Sequence, residues 1–204
     1  MKRIISLLLT LTFLLAFSSC GKEQEETNTT TKENTTKQEI TTEPEVTTEE
    51  ETTMETTNNQ PVTISVTCNS LASNGRLLTK CSAASNGQNV VPGITWTKVD
   101  GANAYAIYIL DESASNWMHM KATTTATEIK EGSSIQGQYK GPYPPSGNHA
   151  YVIYVLALDS APSSLPGNFD STNQSVDTLK TQISANILGQ GQTTVMYANG
   201  DNNV

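Results

Sequence analysis

Histidine is the side chain whose ordinary pKa falls closest to physiological pH, and this sequence uses it only twice, at His119 and His149. His149 follows a loop stiffened by glycine and proline and opens a long apolar run, GPYPPSGNHAYVIYVLAL (141–158). His119 lies in NWMHMKA (116–122), and Asp111 closes the apolar run AYAIYILD (104–111). A neutral imidazole donates one hydrogen bond and a protonated one donates two. A carboxylate beside it fixes the tautomer or favours the imidazolium. Asp111, His119 and His149 brought together could hold a metal in a two-histidine, one-carboxylate site. Their spacing alone does not decide it. On residue type alone, both histidines also read as satisfied core residues. There is no GxSxG elbow, HExxH pair or Walker loop, so the sequence carries no motif of an α/β-hydrolase, a zincin or a P-loop nucleotide-binding protein. No cofactor is expected.

The elements that must place these residues are mostly strands. VTISVT (62–67) alternates, as a half-buried strand does. AYAIYIL (104–110) is apolar on both faces and is predicted to be central in a sheet. WMHMKA (117–122), HAYVIYVLAL (149–158) and QTTVMYA (192–198) are further strand candidates. The segment TATEIKEGSSIQGQYKGPYPPSGN is a long connection without clear periodicity. In SVDTLKTQISANIL, Val176, Leu179, Ile183 and Ile187 recur at helical spacing. They predict one amphipathic helix, capped by Ser175 and stopped by Gly189. Trp96 and Trp117 are read as core.

The chain ahead of this domain divides in two. Residues 1–20, MKRIISLLLTLTFLLAFSSC, have a basic start, a short apolar stretch and small residues before Cys20. The stretch falls short of the roughly 20 residues that span a bilayer and reads as a signal peptide. Its end resembles a bacterial lipobox, which implies cleavage before Cys20, lipidation of that thiol, and an exported domain anchored at the extracytoplasmic face of the membrane. Residues 21–60 are almost entirely Thr, Glu, Asn, Lys and Gln. They cannot bury enough surface to offset the entropy of ordering, so a disordered tether is expected, with an r.m.s. span of about 35 Å.

The tether holds eleven Glu against three Lys, a net of −8, whereas residues 61–204 hold seven Lys or Arg against nine Asp or Glu, a net of −2. The domain is nearly neutral and lacks the basic stripe that nucleic-acid binding requires. At roughly 140 residues it has an ordinary single-domain size. In an oxidising compartment, Cys68 and Cys81 are expected to form a disulfide, stabilising by about 3 kcal/mol.

Taken in order, these segments resemble the phosphatidylethanolamine-binding protein family, in its bacterial branch. GPYPPSGNHAY keeps Gly141, Pro142, Pro144, Pro145, Gly147, His149 and Tyr151 of a GPxPPxGxHRY-like signature, with Ala150 in place of arginine. DESASNWMHM matches a DPDAP-like loop followed by a strand with a histidine; Asp111 is kept, both prolines are lost and Ser113 replaces the second aspartate. GQNVVPGITW resembles the family's GxNxSPPLxW through Gly87, Asn89, Pro92 and Trp96. The resemblance implies a mainly β, sandwich-like fold with an antiparallel sheet core, one C-terminal amphipathic helix and long ordered loops. It further implies a pocket of Asp111, His119, Gly141, Pro142, His149 and Tyr151 for phosphate or a phosphorylated headgroup, bound and not transformed. Backbone N–H groups near Gly141 and the Tyr151 hydroxyl would add donors. A protein-interaction or signalling module is the alternative, and a hydrolase or metal enzyme built on Asp–His–His is a third.

Overall fold

The computed structural model describes residues 60–204. The leader, Cys20 and all but the last residue of the tether lie outside the described residues. The order of strands is β1 (Val62–Thr63), β2 (Val66–Cys68), β3 (Ile94–Trp96), β4 (Ala104–Asp111), β5 (Trp117–Thr124), β6 (Glu128–Ile129), β7 (Gln136–Tyr139), β8 (Asn148–Leu158) and β9 (Ile187–Ala198), with helix α1 (Val176–Gln182) before β9. Six strands form one sheet in the order β1-β9-β8-β4-β5-β7, and three form a second, β2-β3-β6. All pairings are antiparallel except β1 with β9.

The large sheet is covered on both faces, which is why its central strands are apolar throughout. Tyr105, Ile107 and Ile109 of β4 and Tyr151, Ile153 and Val155 of β8 pack with Cys68, Ile94, Trp96 and Ile129 of the small sheet. The alternate residues, Ala106, Tyr108 and Leu110 with Val152, Tyr154 and Leu156, pack with Leu179 and Ile183 at the helix. The fold is thus mainly β with one helix, as the strand patterns predict, and β4 lies inside the sheet.

Two boundaries differ from the sequence expectation. The helix ends at Gln182, since Ile183 is already extended with φ −70° and ψ 130°, and Ile187 and Gly189 belong to β9. Glycine serves there as a place of close approach. A Cβ on Gly191 would collide with the Ile64 carbonyl, and one on Gly189 would lie 2.9 Å from Val99 and 3.0 Å from Val62. The absence of side chains lets residues 62–64 lie against β9, where Ile64 N–H donates to Gln190 O at 3.0 Å. The featureless connection after β5 also contains β6 and β7, which are two and four residues long.

The expected Cys68–Cys81 disulfide is not formed. Both residues are buried free thiols. Cys68 is fixed in β2 opposite Ile94, and Cys81 ends a single 3-10 turn, Thr79–Cys81. The two ends of this segment are held by the Leu71–Leu77 bridge and by Leu78 N–H donating to Ser70 O at 3.0 Å, so hydrogen bonds close the loop without a covalent link. Burial raises the pKa of both thiols, that of Cys81 to about 12.

Candidate functional site

Residues from four separate segments meet at one end of the large sheet. Asp111 is the last residue of β4 and caps a 3-10 turn, Glu112–Ala114, accepting from Ser113 N–H at 2.9 Å. Its other carboxylate oxygen lies 2.7 Å from His149 Nδ1. Asp111 pairs across the sheet with Tyr151, and His149, two residues before Tyr151 on β8, shares that face. The Ser113 hydroxyl accepts from Ala150 N–H at 3.0 Å, so the residue in the place of the family's second aspartate ties the turn to β8 beside His149.

His119 reaches the same face through a bulge. Ile109 pairs with Met120 but Leu110 pairs with Met118, which leaves His119 as the extra residue on β5. Regular alternation would put His119 opposite Leu110, on the helix-side face. The bulge re-aims it, and its ring packs edge-on against Tyr151 with centroids 5.1 Å apart. His119 Nδ1 lies 2.8 Å from the carbonyl oxygen of Lys140. Burial lowers the His119 pKa, opposed by that carbonyl and by Asp111 and Asp170.

Asp111, His119, His149 and Tyr151 line a cavity of about 470 Å³, together with Ser113, Ala114, Trp117, Tyr143, Pro144 and Pro145. The hydrogen bonds of both histidines to Lys140 and Asp111 run through Nδ1. The Tyr151 hydroxyl is buried beside the Asp111 carboxylate and makes no hydrogen bond of good geometry. Burial and then the adjacent Asp111 carboxylate raise its pKa far above the usual phenol value. No group of three or more His, Cys, Asp or Glu among the described residues is arranged to hold a metal ion.

Gly141 and Pro142 do not line this cavity. They lie beneath its wall: a Cβ on Gly141 would collide with the Cys81 carbonyl, and Pro142 O accepts from Ala83 N–H at 2.9 Å. The Gly141 N–H, expected to be a free donor, is held by Asn89 Oδ1 at 2.7 Å. The GQNVVPGITW segment therefore anchors the GPYPP loop from below. Trp96 is core, edge-on to Tyr105, but Trp117 belongs to the cavity wall.

That wall has a hub the sequence does not announce. Asp170 accepts from Trp117 Nε1 at 3.0 Å, from the Tyr143 hydroxyl at 3.2 Å and from Lys140 Nζ at 2.9 Å. The Lys140 ammonium holds the Asp170 pKa below the usual carboxylate range. Tyr143 occupies the variable position of the GPxPP motif, and Asp170 lies in a loop without periodicity, so neither carried a signal.

Both the sequence and the fold have relatives among known proteins. The sequence profile of the phosphatidylethanolamine-binding protein family matches residues 67–198. A curated relative named UPF0098 protein, from Methanothermobacter thermautotrophicus, is 26% identical over 137 residues, covering 56% of this chain and 87% of its own. A crystal structure of a phosphatidylethanolamine-binding protein homologue from Chlamydia trachomatis aligns with a TM-score of 0.53 at 17% identity, covering 67% of this chain and 98% of the other. Escherichia coli YbcL, described as a member of the mammalian PEBP family, aligns with a TM-score of 0.51 at 21% identity, covering 66% and 98%.

Proposed function

The chain belongs to the phosphatidylethanolamine-binding protein family, and from that premise we propose that it is an exported lipoprotein, anchored through Cys20, whose domain binds a small anionic or phosphorylated ligand without transforming it. One observation carries the binding reading: Asp111 and His149, paired at 2.7 Å, share a cavity with His119 and with a buried Tyr151 hydroxyl that makes no hydrogen bond of good geometry. A buried hydroxyl without a hydrogen bond costs about 1–3 kcal/mol, which a bound oxyanion would relieve. In its protonated form His149 keeps Nδ1 on Asp111 and presents Nε2–H to the cavity. Trp117, Tyr143, Pro144 and Pro145 supply an apolar rim that suits an organic substituent on the anion.

The test is an NMR titration following the imidazole signals of both histidines as phosphate and then phosphoethanolamine are added. Joint, saturable shifts support the reading. Silence of both rings defeats it and leaves the protein-interaction module as the surviving alternative. The anchor is tested separately: the mature protein should enter the detergent phase of a phase-separation assay and Cys20→Ala should not. Identical aqueous partition of the two would refute it.

A further inference from the structure

The hydrogen bond made by His119 restricts what the cavity can accept. A carbonyl oxygen only accepts, so the 2.8 Å contact with Lys140 O requires the proton to reside on Nδ1. In the neutral ring Nε2 is then a bare lone pair. Protonating it would place a charge on a side chain only 3% exposed, and burial lowers its pKa. The charged and titratable groups around the ring are Asp111 of β4, His149 and Tyr151 of β8, Lys140 and Tyr143 of the loop after β7, and Asp170 of the loop before the helix. Of these, the Lys140 ammonium is already engaged by Asp170. The cavity lining contains one carboxylate, Asp111, and no lysine or arginine. Each Asp111 oxygen already accepts one hydrogen bond, one from Ser113 N–H and one from His149.

Building on the anion-pocket reading, we propose that the cavity selects anions that carry their own hydrogen-bond donor, specifically a singly protonated phosphate monoester over its dianion and over a phosphodiester. The ligand's P–O–H donates to His119 Nε2, and its unprotonated oxygens face His149 and the Tyr151 hydroxyl. A dianion brings a second negative charge towards Asp111 and gives His119 Nε2 nothing to accept. A phosphodiester has the right charge and lacks the proton.

The experiment uses the purified protein with three probes: methyl phosphate, dimethyl phosphate and methylphosphonate, whose second ionisation lies above that of methyl phosphate. Nitrogen-15 NMR of the imidazoles should show His119 protonated at Nδ1 and bare at Nε2; the opposite tautomer overturns the proposal. At about pH 5, below the second ionisation of a phosphate near 6, methyl phosphate should bind about tenfold or more tighter than dimethyl phosphate. Its affinity should fall as the second proton leaves, and the methylphosphonate profile should move up in pH with that ligand's own ionisation. A profile that stays at one pH for both ligands reports a protein group and sinks the proposal. So does equal binding of monoester and diester, which would nevertheless leave the anion pocket standing. Failure of all three to bind overturns the pocket as well. His119→Gln, whose amide can donate or accept, should narrow the monoester-to-diester ratio.

Discussion

His119 is a base buried in its neutral form, and that has a consequence for stability. Its folded pKa lies below the ordinary value near 6.5, so on acidification the unfolded chain takes up a proton before the folded one does. Stability therefore rises with pH through that window and is lost as pH falls below about 6.5, down to the folded pKa. We expect the melting temperature to drop between about pH 7 and 5 and the drop to shrink in His119→Gln; an unchanged slope would show that other groups carry it. Asp111 and His149 act as one unit, because the carboxylate orients the ring through Nδ1. Asp111→Asn and His149→Ala should each weaken phosphate binding roughly 10- to 100-fold, the range for a lost charge-assisted hydrogen bond. The Asp111→Asn His149→Ala double variant should do little more than either. Additive losses, measured by calorimetric titration, would mean the two act apart. All three chemistry-bearing residues were legible as types in strands. Their union was not, because strict alternation assigns His119 to the opposite face, and only a bulge, which leaves no mark in WMHMKA, reverses it.

Among the elements, the GPYPPSGN loop is held from beneath as well as at its ends, where Asn199 donates to Gly147 O and Pro145 O. Gly141 lies so close to the Cys81–Ala83 backbone that any side chain forces it away, and Asn89, itself at φ +54°, fixes the Gly141 N–H. Gly147 is different: its φ is +69° and a Cβ there meets open space. Gly141→Ala should cost about 3 kcal/mol, the upper part of the range for overpacking, and should also weaken ligand binding by displacing the cavity wall. Gly147→Ala should cost only about 1–2 kcal/mol, the backbone penalty of a left-handed residue. Denaturant melts of the two variants compare them directly, and equal losses would contradict the close-approach account. The motif could be read as a stiff loop, and its stiffness does follow from proline. Its role as a wall resting on the GQNVVPG segment depends on contacts between residues about 50 positions apart, which no local pattern encodes.

For the molecule as a whole, the thiols and the two sheets report the same architecture. Cys68 and Cys81 face the core between the sheets as free thiols, so a reductant should leave the melting temperature unchanged, and a thiol reagent should gain two reactive groups only on unfolding. A reductant-induced fall of several degrees would restore the disulfide. Composition set residues 61–204 apart as the segment with enough apolar surface to fold, because burying such surface is what allows a segment to fold and residues 21–60 carry almost none. Apolar runs without alternation marked β4 and β8 as central, since a strand covered on both faces needs no polar side. Turn residues in fixed order gave the family. What the sequence could not determine was decided by packing across the fold: which glycines end an element and which admit a neighbour, that two buried cysteines remain unjoined, and that Asp170 organises the cavity rim. Each of these depends on distances between residues far apart in the chain, and such distances exist only once the two sheets have closed on their shared core.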